Sequence, residues 1–139
     1  MSEKLSESLE NYLETIAFLK RENKVARVKD ISKMLNVKSS SVNIALNVLM
    51  EKGFVLHERY GYVDLTSKGQ AVADDIQKKE DILFLFFHDI LGVEKEAALK
   101  DACKIEHTIS DESLAKLIYF VGMLDKEPAL KKNIQKKTK

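Results

Sequence analysis

Apolar positions along this chain recur at intervals of three and four over most of its length. Leu5, Leu9, Tyr12, Leu13, Ile16, Ala17 and Leu19 form one such set, which predicts an amphipathic helix from Leu5 to Lys20. Its other face carries Glu3, Glu7, Glu10 and Glu14, and the segment ends on Lys20 and Arg21 before a turn at Asn23 and Lys24. That charge order suits the helix macrodipole. Ile31, Met34 and Leu35 predict a short helix over Val28 to Leu35, stopped by Asn36. Beyond the tight Val37-Lys38-Ser39 connection, Ser39 or Ser40 is positioned to cap a third helix reaching about Lys52, with Val42, Leu46, Leu49 and Met50 turned inward. Two short helices across a tight turn, the second opening on small polar residues, make a helix-turn-helix pattern.

The pattern then shortens. Phe54-Val55-Leu56-His57-Glu58 and Tyr62-Val63-Asp64-Leu65 are rich in β-formers and flank Arg59-Tyr60-Gly61, which predicts a β-hairpin. Directly after a helix-turn-helix, such a hairpin is a wing. Helical spacing returns with a long helix from Ser67, capped by Thr66, to about Leu91, ended by Gly92. Further helices follow over about Glu94 to Thr108, from Ser110-Asp111-Glu112 with Leu114, Leu117, Ile118 and Val121 on one face, and after Glu127-Pro128. The expected fold class is mainly α.

Composition narrows the function classes. In 139 residues, 45% are hydrophobic and 32% charged, ordinary for a globular protein of one domain or two small ones. A single Cys allows no internal disulfide, and the N-terminus has none of the layout of a secretory leader, so a cytoplasmic location is expected. The apolar run Ile82 to Phe87 falls far short of the roughly 20 residues that a membrane span needs.

The net charge of +1 hides an uneven distribution. From Lys20 to Lys38 there are seven basic residues (Lys20, Arg21, Lys24, Arg27, Lys29, Lys33, Lys38) against two acidic ones. With Arg59 on the hairpin tip they make a footprint for a phosphate backbone. Charge alone fits a solvated face equally well. The third helix tips the balance, because Ser39, Ser40, Ser41, Asn43 and Asn47 are short hydrogen-bonding residues suited to a helix end laid in a major groove.

A second constellation is Cys103, Glu106 and His107. At i, i+3 and i+4 of a helix they project a thiolate, a carboxylate and an imidazole from one face, a donor set for a divalent transition metal. A lone Cys on an amphipathic helix also serves as a small buried hydrophobe, so the triplet by itself leaves both readings open. Nucleophilic catalysis by Cys103 with His107 lacks an orienting third group and oxyanion donors.

Winged helix-turn-helix, long connecting helix and Cys-x-x-Glu-His, in that order, resemble the diphtheria toxin repressor family, which includes the iron-dependent and manganese-transport regulators. The resemblance runs through Glu10-Asn11-Tyr12-Leu13-Glu14-Thr15-Ile16, Leu65-Thr66-Ser67-Lys68-Gly69, Asp89-Ile90-Leu91-Gly92-Val93, and most specifically Asp101-Ala102-Cys103-Lys104-Ile105-Glu106-His107-Thr108-Ile109-Ser110-Asp111-Glu112. It implies a winged helix-turn-helix DNA-binding domain over residues 1–72 and an all-helical metal-binding and dimerisation domain over 73–139, as in the shorter branch without a third, β-barrel domain.

Carried over position by position, the resemblance implies metal ligands at Asn11, Glu14, Glu80, Cys103, Glu106 and His107. Asn11 matches neither the Met of the iron branch nor the Asp of the manganese branch. Glu14 agrees with the manganese branch, Cys103 agrees with the iron branch, and Glu80 stands where the family has His. Phe84 and Leu99 replace residues of the iron branch's ancillary site, which is expected to be absent as that branch builds it. The DNA-contacting set is Arg27, Lys38, Ser39, Ser40, Ser41, Asn43, Asn47 and Arg59. The implied function is a repressor in metal homeostasis that binds operator DNA as a homodimer when loaded with Fe(II) or Mn(II), and that has no catalytic activity, membrane partner or small-molecule substrate. Zn(II), Co(II) or Ni(II) would substitute in vitro, since affinity follows the Irving-Williams order. A winged-helix regulator without metal control, a small metalloenzyme using Glu106 or Glu80 as base, and a protein-binding winged helix are the alternatives.

Overall fold

The computed structural model describes residues 4–58 and 61–137. Its elements run α1 (Glu7–Asn23), β1 (Ala26–Arg27), α2 (Val28–Leu35), α3 (Ser39–Glu51), β2 (Val55–His57), β3 (Tyr62–Leu65), α4 (Ser67–Phe84), α5 (Lys95–Ile105), α6 (Asp111–Asp125) and α7 (Pro128–Lys137). The mainly helical expectation holds. Contacts divide the chain into two units, one up to Asp75 and one from Ile76 onward, so the division falls inside α4. No helix among the described residues is long and apolar enough to cross a membrane.

In the N-terminal unit, α1 starts two residues into the predicted segment because the Ser6 side chain accepts a hydrogen bond from the Leu9 amide at 3.2 Å, satisfying one of the orphan donors of the first turn. The predicted apolar face is the face that is buried: Leu13 and Ile16 are wholly inaccessible, packed with Ile31, Val42, Leu46 and Leu49 of α2 and α3 and with Phe54, Val55, Val63 and Leu65 of the sheet. The helix-turn-helix connection is closed by Asn36 in the left-handed conformation (φ 54°), by the Val37 amide on the Ser32 carbonyl at 3.1 Å, and by the Ser32 hydroxyl donating to the Val37 carbonyl at 2.6 Å. No serine caps α3. The capping position is Lys38, without a side-chain cap hydrogen bond, and Ser39, Ser40 and Ser41 lie one step further on, in the exposed first turn.

The wing is part of a three-stranded antiparallel sheet in the order β1-β3-β2. β2 pairs Val55 with Leu65 and His57 with Val63, and β1 pairs Ala26 with Val63 and Arg27 with Tyr62. Two residues carry no alternation, so β1 had no signature in the sequence. Thr66 caps α4 as expected, its hydroxyl accepting from the Gly69 amide at 3.1 Å while donating to the Gly53 carbonyl at 2.6 Å.

In the C-terminal unit the long helix does not stay α-helical to Leu91. It widens into π-helical geometry over Leu85–Ile90. Leu85, Phe86, Ile90 and Leu91 all pack in the same small core with Leu117, Val121, Leu124 and Ile134. A π-segment, with its i to i+5 hydrogen bonds, brings apolar pairs five residues apart, Leu85 with Ile90 and Phe86 with Leu91, closer to one side of the helix than α-geometry does. Stacking of the His88 ring on Phe84 (centroids 5.1 Å) and its Nδ1 contact with the Val93 carbonyl at 2.8 Å accompany the widened turn. Gly92, at φ 76°, then ends it.

Candidate metal centre and nucleic-acid interface

α5 ends at Ile105, three residues earlier than the pattern predicts, because Thr108 and Ile109 both return their amides to the Ile105 carbonyl, at 2.9 and 2.8 Å. Glu106 is the helix's capping residue, still in right-handed helical conformation (φ −54°, ψ −33°), and His107 stands in the turn that follows. This turn carries both side chains inward. Glu106 is 3% and His107 9% exposed, and among the described residues the other buried polar side chain is Thr15. His107 Nε2 lies 3.2 Å from Glu106 Oε1. Burying a carboxylate and an imidazole together requires that charge and hydrogen bonding be compensated, and each of the two faces the other as an ion-pair partner.

Cys103 sits one turn back on α5 and is half-buried, as is Glu80 on α4. Neither joins Glu106 and His107 in a group whose ligand atoms all lie within 4.8 Å of one another among the described residues.

Within the N-terminal unit, Asn11 and Glu14 occupy adjacent turns' worth of α1, three residues apart on one side, and both are half-buried. Glu14 Oε1 is buried and has no hydrogen-bond partner among the described residues. A carboxylate oxygen left so is costly in water-free surroundings and is relieved by a cation. The donor chemistry within each unit fits a divalent transition ion: a hard carboxylate at Glu14 in one, and a carboxylate at Glu106 with an imidazole at His107 in the other, suit Mn(II) and Fe(II) and do not exclude Zn(II).

The described residues of the expected DNA-contacting set all lie in the N-terminal unit. Lys38, Ser39, Ser40, Ser41, Asn43 and Asn47 are all exposed on α3 or at its start. The uncapped first turn of α3 leaves its amides available to an anion. Arg27 is exposed and held over the Tyr62 ring at 5.2 Å, donating from Nη2 to the Tyr62 hydroxyl at 3.3 Å. Tyr62 is thus a positioning residue that the sequence pattern missed; the two are 35 residues apart and only the β1·β3 pairing brings them together. Arg59, expected at the hairpin tip, lies outside the described residues. Lys20, counted with the basic run, is salt-bridged to Asp64, and that hydrogen bond holds the Asp64 carboxyl below its usual range. Its charge is largely spoken for within the fold.

Comparison with known proteins decides between the readings. The description "Iron dependent repressor, N-terminal DNA binding domain" matches residues 4–63, and "Iron dependent repressor, metal binding and dimerisation domain" matches residues 66–135. The chain belongs to the iron-dependent repressor family. Among curated relatives, an uncharacterized HTH-type transcriptional regulator of Methanocaldococcus jannaschii is 36% identical over 118 residues, covering 84% of this chain and 94% of the relative. The HTH-type transcriptional regulator MntR of Bacillus subtilis is 34% identical over 134 residues, covering 94% of each.

Among solved structures, IdeR of T. acidophilum is similar with a TM-score of 0.73 at 27% identity over 87% of this chain, and the manganese regulator SloR with 0.72 at 25% over 82%. The chain spans only 56% and 53% of those two structures, about half their length. The family is one of transcriptional repressors and not of enzymes, which removes the metalloenzyme alternative.

Proposed function

We propose that this chain is a cytoplasmic metalloregulator that represses transcription by binding operator DNA as a homodimer when loaded with Fe(II) or Mn(II). The observation that carries the metal part is the buried Glu106 and His107 pair, in the segment similar to the metal-binding and dimerisation domain. The manganese named for SloR supports Mn(II) as the first ion to test.

Asn11, Glu14, Glu80, Cys103, Glu106 and His107 form the proposed ligand set. When bound, the ion supplies positive charge that offsets the carboxylates of Glu14, Glu80 and Glu106. Because the set draws on α1 as well as on α4 and α5, loading would tie the two units together and favour whichever arrangement the ligands share. Two α3 helices of a dimer would then be held at the spacing of successive major grooves, with Arg27, Arg59 and Lys38 on phosphates and Ser39, Ser40, Ser41, Asn43 and Asn47 at the groove.

The partner in the dimer is a second copy seated on α6. Ile118, Tyr119, Phe120 and Met123 are 45 to 69% exposed there, and Leu130 of α7 adds 52%. Large apolar side chains left exposed in such number mark an interaction site, and they fall within the segment similar to the dimerisation domain.

Titrating Mn(II), Fe(II) or Zn(II) anaerobically into the chain with a promoter-sized duplex tests the reading. Affinity should rise steeply with metal, and affinity unchanged by any of the ions overturns metal control.

A further inference from the structure

The outward face of α3 is polar except at one position. Ser40, Ile44 and Asn47 follow one another at helical spacing with Ser41 and Asn43 beside them, opposite the buried Val42, Ala45, Leu46 and Leu49. Ile44 is 66% exposed, more than any other large aliphatic side chain among the described residues. It therefore adds little to the core, and isoleucine has no special helix propensity to recommend it at a solvated site. A single exposed apolar side chain elsewhere would need no explanation. This one sits at the centre of a face otherwise made of amides and hydroxyls.

Base pairs display one apolar group in the major groove, the C5-methyl of thymine, beside the O4 acceptor. The geometry points to Ile44 as a specificity-determining residue that packs on a thymine methyl, with Asn43, Asn47 and the serines making the polar contacts around it. The inference rests on the reading of α3 as the groove-binding helix. It goes beyond that reading by committing a residue to a base. A methyl-sized apolar contact corresponds to about a four-fold change in affinity per half-site.

The test uses the full chain with Mn(II). Duplexes are selected from a randomised library, and each thymine of the enriched duplex is replaced in turn by deoxyuridine, which removes the methyl group and leaves pairing intact. Affinity is measured at fixed salt for the parent and for Ile44→Ala. The parent should lose about four-fold per half-site at one symmetry-related thymine pair, and Ile44→Ala should bind thymine and uracil duplexes alike, with the affinity of the parent for the uracil duplex. That last equality also shows that the variant is folded. Methyl dependence that persists in Ile44→Ala, or is found at no thymine, overturns the inference while leaving DNA binding intact. Failure of the parent to enrich any duplex overturns the reading of α3 and this inference together.

Discussion

Gly69 offers a test in which local propensity and tertiary packing predict opposite signs. It lies in the first turn of α4 and is buried. Judged from the helix alone, Gly69→Ala should stabilise the chain by about 1 kcal/mol, the difference in helix propensity. A Cβ at this position, however, would lie 2.0 Å from the Phe54 carbonyl oxygen and 3.0 Å from its carbon, with Leu65 Cδ2 at 3.4 Å. The obstacle is backbone, and it is anchored: the same Phe54 oxygen accepts from the Thr66 amide at 3.1 Å. To reach ordinary contact α4 must retreat from the base of the wing by roughly 1 Å, at an overpacking cost of about 1–3 kcal/mol. Loss of the Thr66 to Phe54 hydrogen bond adds about 1 kcal/mol. Set against the propensity gain, the net effect is a destabilisation of about 1–3 kcal/mol, read as a fall in Tm of about 5 °C or more by calorimetry on the metal-free chain. A variant as stable as the parent would refute the claimed close approach of α4 to β2 and, with it, the packing that sets the wing against the helix-turn-helix.

Other outcomes follow from the site and the surface. Glu106→Gln should abolish the metal-dependent part of duplex affinity while leaving low-salt, metal-independent binding in place, and Cys103→Ala should weaken the response to Zn(II) more than to Mn(II); both are read from metal titrations by fluorescence anisotropy. Ile118→Glu, at a side chain 49% exposed, should leave the fold intact and shift the chain to monomer in sedimentation velocity, with loss of tight operator binding. Asp64→Asn should cost well under 1 kcal/mol at neutral pH, since the Lys20 to Asp64 pair is exposed. Because the folded Asp64 carboxyl titrates below its ordinary value of 3.8, its contribution is present above about pH 4 and fades as pH falls through the lowered value; parent and variant should therefore converge in urea unfolding at strongly acid pH.

Much of the fold was legible because each element satisfies its own backbone and buries one face. Periodicity found α1, α2, α3, α6 and α7 to within a few residues, and turn chemistry found the β2·β3 hairpin, Gly92 and the Ser110 cap, whose hydroxyl accepts from the Ser113 amide at 3.1 Å. The misses share a cause. β1, the π-geometry of Leu85–Ile90 and the exposure of Ile118 all depend on partners distant in sequence, and a residue's neighbours along the chain carry no record of them.

By itself, the sequence determined the order of elements, the charge asymmetry from Lys20 to Lys38, and the presence of carboxylate, imidazole and thiol donors in one short block. These are properties of spacing and residue type, set by the helical repeat and by ionisable groups. Only the tertiary structure decided which donors are held together and which surfaces are left open. It sets Glu106 beside His107 in a buried turn, commits Lys20 to Asp64, holds Arg27 over Tyr62, and leaves Ile44 in solvent. The physical reason is that burial and contact depend on how elements pack, and a one-residue change in where a helix ends redirects a side chain by about 100°.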